Sequence, residues 1–216
     1  MVALRKCSLI AAVVASMALA RGLKADDRAM YLGFSGGMNV PTTNVDVRRE
    51  TDQTREEIYE QADYNLDHGY ALSASVGKYL REFRIEFQCA AQSNDIDSVE
   101  VQGTKSDLGG ELDAMQFMGN VLYDIPLSKR VTAFLGAGVG AAEVWLRPDA
   151  DVRHLENQHG MGFAYQGIAG IAWEIAPGVS ITANYRAWTA SDIEMQDVKL
   201  QMPLFHMAEI GVRFSF

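Results

Sequence analysis

Cysteine is nearly missing from this chain of 216 residues: there are two, Cys7 and Cys89. Two cysteines cannot build a disulfide framework, so a small disulfide-stapled fold is excluded. Proline is sparse, at 5, whereas 19 glycines are many for a helical protein. Positive charge is in deficit: 19 Lys and Arg face 28 Asp and Glu, for a net charge of −9. That balance disfavours a nucleic-acid partner held by overall basicity. Beyond the N-terminus no apolar run approaches the ~18–20 residues of a transmembrane helix, so a helical membrane protein is excluded. A membrane β-barrel is not, because its strands need only alternate. The 48% hydrophobic content argues against disorder, and the length is that of one domain.

What is present begins with an address. Arg5 and Lys6 form a positive n-region, and Ser8 to Ala20 is an apolar stretch ending in small residues, Ala18 and Ala20, at −3 and −1 of a cleavage point. The pattern predicts a signal peptide over 1–20 and one outer-membrane barrel domain over 21–216. A cut after Ala25 is the alternative and places Leu23 at −3. The apolar stretch is too short for an anchor helix, and Cys7 precedes it, where a lipoprotein cysteine would not stand. Cleavage leaves Cys89 as the one cysteine and removes two basic residues.

The remainder alternates with period two. The apolar positions run Met30 to Met38, Tyr70 to Val76, Phe83 to Ala91, Met115 to Tyr123, Ala133 to Ala141, Phe163 to Trp173, Val179 to Tyr185 and Ala208 to Phe216. Each segment is roughly ten residues, the span of a tilted transmembrane strand. The connections, residues 41–68, 78–82, 94–110, 124–130, 145–162, 176–178 and 189–205, are long and short by turns. This predicts an all-β fold, an eight-stranded antiparallel up-and-down transmembrane β-barrel. Long extracellular loops, short periplasmic turns and both termini in the periplasm follow. A soluble barrel around an apolar core is the alternative that alternation alone leaves open.

Arg84, Glu86, Glu174, Arg186, Glu209 and Arg213 fall on the face that carries glycines and small polar residues. In lipid the apolar face points outward, so these charges are expected in the lumen. Counting residues from the periplasmic strand ends pairs Arg186 with Glu209 side by side and Glu86 with Arg213 across the lumen. Ile210, Val212, Phe214 and Phe216 alternate up to the last residue. Such a terminal aromatic strand is the expected signal for the barrel assembly machinery, although any edge strand can end in Phe.

Several segments carry a resemblance: 119–126 (GNVLYDIP), 133–140 (AFLGAGVG), 164–170 (AYQGIAG), 174–181 (EIAPGVSI) and 208–216 (AEIGVRFSF). In their order and spacing the chain resembles the surface-antigen family of rickettsial outer-membrane proteins, to which the major surface proteins of Anaplasma and Ehrlichia belong. More broadly it is similar to opacity-protein-like and OmpA/OmpX-like eight-stranded barrels. The resemblance is strongest from Arg84 to Phe216. It implies an outer-membrane antigen with adhesive or porin-like activity.

Signals for chemistry are weak. His154 and His159 near Asp149 and Asp151 lack metal-ligand spacing. Ser191, Asp192 and His206 could mimic a hydrolytic set, with no motif behind them. Gly136, Gly138 and Gly140 lie in a strand pattern with no following helix, so they are no phosphate loop; their expected task is to leave lumen room for side chains opposite. No cofactor, metal or enzymatic activity is expected.

The long connections are acidic. Between Asp46 and Asp67 alone eight acidic residues face three basic ones. Thr54 to Glu57 is a capping-box pattern, so a short helix is expected from about Arg55 to Gln61, with Ile58 and Tyr59 as candidate contacts for a partner. The leading reading is a surface antigen, closed as a barrel and displaying acidic loops to host-surface or antibody ligands. A small porin comes second, because an eight-stranded lumen is only wide enough for side chains. An outer-membrane enzyme comes last. Expected partners are outer-membrane lipid, the assembly machinery and those surface ligands, and no nucleic acid.

Overall fold

The computed structural model describes residues 30–42, 45–49, 61–101, 104–106, 110–148, 158–195 and 198–216. In chain order the strands are β1 (Met30–Pro41), β2 (Val45–Arg49), β3 (Gln61–Leu80), β4 (Phe83–Val101), β5 (Thr104–Ser106), β6 (Gly110–Pro126), β7 (Val131–Pro148), β8 (Gln158–Ala176), β9 (Val179–Ala190), β10 (Ile193–Met195), β11 (Val198–Gln201) and β12 (Phe205–Ser215).

Eight long strands close the sheet. They pair antiparallel in the order β1, β3, β4, β6, β7, β8, β9, β12, and β12 returns to β1. Met30 N donates to Phe216 O at 3.1 Å and Phe216 N to Met30 O at 2.9 Å, sealing the seam. Closure satisfies the wall's backbone groups without water, which lipid demands. The short strands β2, β10 and β11 extend the wall beyond β3, and β5 pairs with β4.

Three tight connections mark one end. Leu80 pairs with Phe83 across Arg81 and Glu82, with Arg81 at φ 61°. Ala176 pairs with Val179 across Pro177 and Gly178. Gly178 has φ 80°, the value a type II turn requires after proline, where glycine carries no Cβ penalty. In the third, Ser128 Oγ accepts the Arg130 and Val131 N–H groups at 3.3 and 3.1 Å.

The strands are longer than the expected ten residues: β3 has 20, β4 and β8 have 19, and β7 has 18. Much of the expected loop sequence in 61–68, 94–101 and 145–148 is therefore barrel wall. Pairing continues past the bilayer because each further ladder bond satisfies two backbone groups. A register shift at Asp67 and His68 bends β3 there. Asp67 Oδ1 accepts the His68 backbone N–H at 2.7 Å, which holds the carboxyl below the usual range. Gln61, placed at the end of the expected helix, opens β3 instead. The rest of that helix, with Ile58 and Tyr59, lies outside the described residues.

Side-chain polarity inverts along the wall. Toward the short-turn end, Ile85, Phe87, Leu135 and Val139 face outward, at least half exposed, while Arg84, Glu86, Gln88 and Asn120 are buried inside. Toward the long-connection end, Asp95, Asp97 and Glu111 are exposed while their neighbours Ile96, Leu112 and Leu146 are buried. Outward Arg147 reaches Asp113 Oδ2 at 2.9 Å and Glu111 Oε2 at 3.6 Å. The lower wall has the polarity of a lipid-embedded barrel and the upper wall that of a water-soluble one. Exposed aromatics bracket the lower zone: Phe83, Tyr123, Trp173 and Phe214 at one level, Tyr70, Phe163, Tyr165 and Tyr185 at the other. Trp173 and Tyr165 are eight positions apart on β8. At ~3.3 Å per residue and ~40° tilt that is ~20 Å of height, close to the apolar band of a membrane barrel.

Candidate functional site: a filled lumen

The barrel interior is built in layers. At the long-connection end hydrophobic side chains predominate around a buried amide pair, Asn39 Nδ2 donating to Asn94 Oδ1 at 2.9 Å. Trp188 of β9 stacks on Phe205 of β12 with ring centroids 5.1 Å apart, both fully buried. Leu112, Met207, Ile193 of β10 and Leu200 of β11 complete this plug. The alternation assigns Ile193, Leu200 and Phe205 to a long connection, so the plug is not expected from it; it lies above the height at which polarity inverts.

Beneath the plug lies a layer of amides. Trp188 Nε1 donates to Gln92 Oε1 at 3.0 Å. Gln88 Oε1 accepts from Gln166 Nε2 at 2.9 Å, from Asn120 Nδ2 at 3.3 Å and from an Arg186 guanidinium nitrogen. Gln166 Nε2 also reaches Asn120 Oδ1 at 2.7 Å. Glycine makes room for this layer: a Cβ on Gly138 would lie 1.9 Å from Asn120 Oδ1. The amides' alternation on β4, Gln88 then Gln92, was visible in the sequence, but nothing local showed that they converge with Asn120 and Gln166.

Charges follow. Arg186 Nε donates to Glu209 Oε2 at 2.7 Å, and both residues are buried. Glu86 accepts from Tyr31 Oη at 2.8 Å and from Asn120 Nδ2 at 3.0 Å. The expected Glu86–Arg213 pair is not among the ion pairs of the described residues. Tyr31 intervenes: its hydroxyl holds Glu86, while Arg213 packs against its ring at 5.5 Å. Arg84 Nε donates to Asp124 Oδ1 at 2.9 Å, and its guanidinium lies 4.7 Å from the Phe134 ring centroid. The alternation assigns Asp124 to a turn and puts Tyr31 on the inner face of β1, with nothing local to show that it meets Glu86 and Arg213.

What space remains is small. A cavity of about 30 Å³ lies among Tyr31, Arg84, Glu86, Phe134, Arg186 and Arg213. A larger one, about 250 Å³, opens at the short-turn mouth.

The remaining candidates are scattered. Ile210, Val212 and Phe214 face outward and exposed, and Phe216 makes the seam bonds. Ser191 Oγ accepts the Phe163 N–H at 3.1 Å, whereas His206 meets the Tyr185 hydroxyl at 2.5 Å, so each is engaged away from the other. Exposed His159 is on the wall opposite Trp145; His154, Asp149 and Asp151 lie outside the described residues. Among the described residues no three His, Cys, Asp or Glu side chains group as metal ligands.

Comparison with known proteins agrees with this geometry. A family model described as outer membrane protein beta-barrel domain matches residues 7–216. An outer membrane protein of Gluconacetobacter diazotrophicus is 31% identical over 137 residues, covering 57% of this chain and 36% of the relative. The chain thus spans about a third of the length of that curated relative. Among solved structures, Neisserial surface protein A aligns at TM-score 0.56 and 14% identity, covering 87% of this chain and 97% of that one. OprG of Pseudomonas aeruginosa aligns at 0.55 and 15%, covering 86% and 96%. The outer membrane protease OmpT of Escherichia coli aligns at 0.54 and 7%, covering 91% and 99%. At these identities the likeness is one of fold. A closed eight-stranded barrel with a lipid-facing belt, matched by that family model over nearly its whole length, belongs to the outer membrane protein β-barrel domain family and resides in the outer membrane.

Proposed function

We propose that this protein is a surface-displayed outer-membrane antigen of the kind implied by its resemblance to the rickettsial surface-antigen family. It is a closed, non-enzymatic barrel whose role lies in what it presents outside the cell. The observation that carries this reading is the inversion of wall polarity. Asp95, Asp97 and Glu111 face water while Ile96, Leu112 and Trp188 fill the interior at the same end. A wall built to stand beyond the bilayer, plugged inside and acidic outside, supports display rather than conduction. The acidic connections extend that surface toward host-surface or antibody ligands. The terminal residues Ile210, Val212, Phe214 and Phe216 are the part we assign to recognition by the barrel assembly machinery.

The test is protease treatment of intact cells. Trypsin is expected to cut in the connection containing Arg55 and to spare Lys129 and Arg130 until the outer membrane is opened. Arg48 and Arg49 belong to β2, whose pairing with β3 and β11 is expected to slow cleavage there. Cleavage at Lys129 in intact cells, with Arg55 spared, would invert the topology and end the reading.

A further inference from the structure

The geometry points to an anion-binding site at the periplasmic mouth of the lumen, for a phosphate-class oxyanion. The cavity there, about 250 Å³, has Arg213 on its inner wall and Lys129 and Arg130 at its rim. Arg213 is 7% exposed, and its Nε is buried with no hydrogen-bond partner. No carboxylate bridges it among the ion pairs of the described residues; its guanidinium packs against the faces of Tyr31 and Phe134, at 5.5 and 5.7 Å. Aromatic faces attract a cation but supply no acceptor for its N–H groups. Of the two carboxylates of the cavity, Asp124 is paired with a cation outside the mouth. Asp124 is bound by Arg84 Nε at 2.9 Å, and Glu174 Oε1 accepts the Gly178 N–H at 3.3 Å.

The mouth therefore carries three cations against the single charge of Glu174, since Arg84 offsets Asp124. The hydroxyls of Ser180 and Ser215 also line it. A guanidinium fork, a point-charge ammonium and rotatable hydroxyls together offer donors from several directions, which suits a tetrahedral oxyanion. Two sources have this chemistry on the periplasmic side: a soluble phosphate compound and a phospholipid headgroup. The inference does not depend on the surface-display reading, since it concerns the opposite end of the barrel.

The experiment uses the full chain refolded in maltoside micelles, labelled with ¹⁵N, and titrated with inorganic phosphate at constant ionic strength. The Arg213 Nε–Hε resonance is expected to shift saturably. Lys129→Gln with Arg130→Gln, at exposed positions outside the packed lumen, is expected to weaken binding about tenfold, the size of one charge-assisted contact. Nanodiscs of phosphatidylglycerol separate the sources. A resonance already shifted before phosphate is added assigns the site to a headgroup, and an unshifted one that then titrates assigns it to a soluble ligand. No saturable shift in either medium, or an equal shift in the double variant, would overturn the inference.

Discussion

Arg186 and Glu209 meet diagonally across β9 and β12. Arg186 is in register with Met207 and Glu209 with Asn184, yet Nε and Oε2 are 2.7 Å apart. The pair is two residues offset because each long side chain leans along its strand toward the other. Arg186 also donates to Gln88 across the lumen, so the ion pair is anchored to the opposite wall.

Removing one partner strands the other charge in a dry interior. Glu209→Ala and Arg186→Ala should each destabilise the barrel by about 3–5 kcal/mol, and the double variant by less than their sum. Urea unfolding in detergent measures both. Additive effects, or wild-type stability in either single variant, would contradict a paired charge.

Polarity inversion makes opposite demands on neighbouring heights. Leu112→Asp places an unpaired charge in the plug and should cost at least about 3 kcal/mol, while Glu111→Gln, one residue away, should change stability by less than about 0.5 kcal/mol. Leu135→Arg, outward at the level of the lipid belt, should cost about 2–4 kcal/mol. Folding titrations into phospholipid vesicles would rank the three. A tolerant Leu112 would mean that the upper interior is wet.

Glycines offer a sharper contrast. Gly77→Ala drives a methyl to within 2.2 Å of the Tyr31 ring, whereas a Cβ on Gly167 meets nothing within 4 Å. The first should destabilise by about 1–3 kcal/mol and the second should be neutral or slightly stabilising. Thermal melts of the refolded protein in detergent would distinguish them.

A lumen filled by the Trp188–Phe205 stack, the Gln88–Gln166 amides and the Arg186–Glu209 pair should not conduct. Planar-bilayer recordings of the refolded protein are expected to show no stable channel. Regular openings of uniform size would favour the porin reading.

The sequence by itself determined the architecture. Period-two alternation says that each strand has two unlike faces, and the long–short order of connections says how the strands neighbour one another. Both are local consequences of the pleat and of the bilayer's thickness. That Arg186 meets Glu209 was also legible, because adjacent strands share a depth scale, although the meeting is diagonal rather than side by side. What only the tertiary structure decided lies across the lumen and above the membrane. Whether Glu86 meets Arg213 or Tyr31 depends on strand tilt and on which side chain reaches the axis first. Alternation on one strand carries no record of either. The apolar plug and the charged outer wall were read as loop because their polarity is reversed relative to the lipid zone. A period-two pattern says that two faces differ, and only the surroundings of the closed barrel decide which of them is the inside.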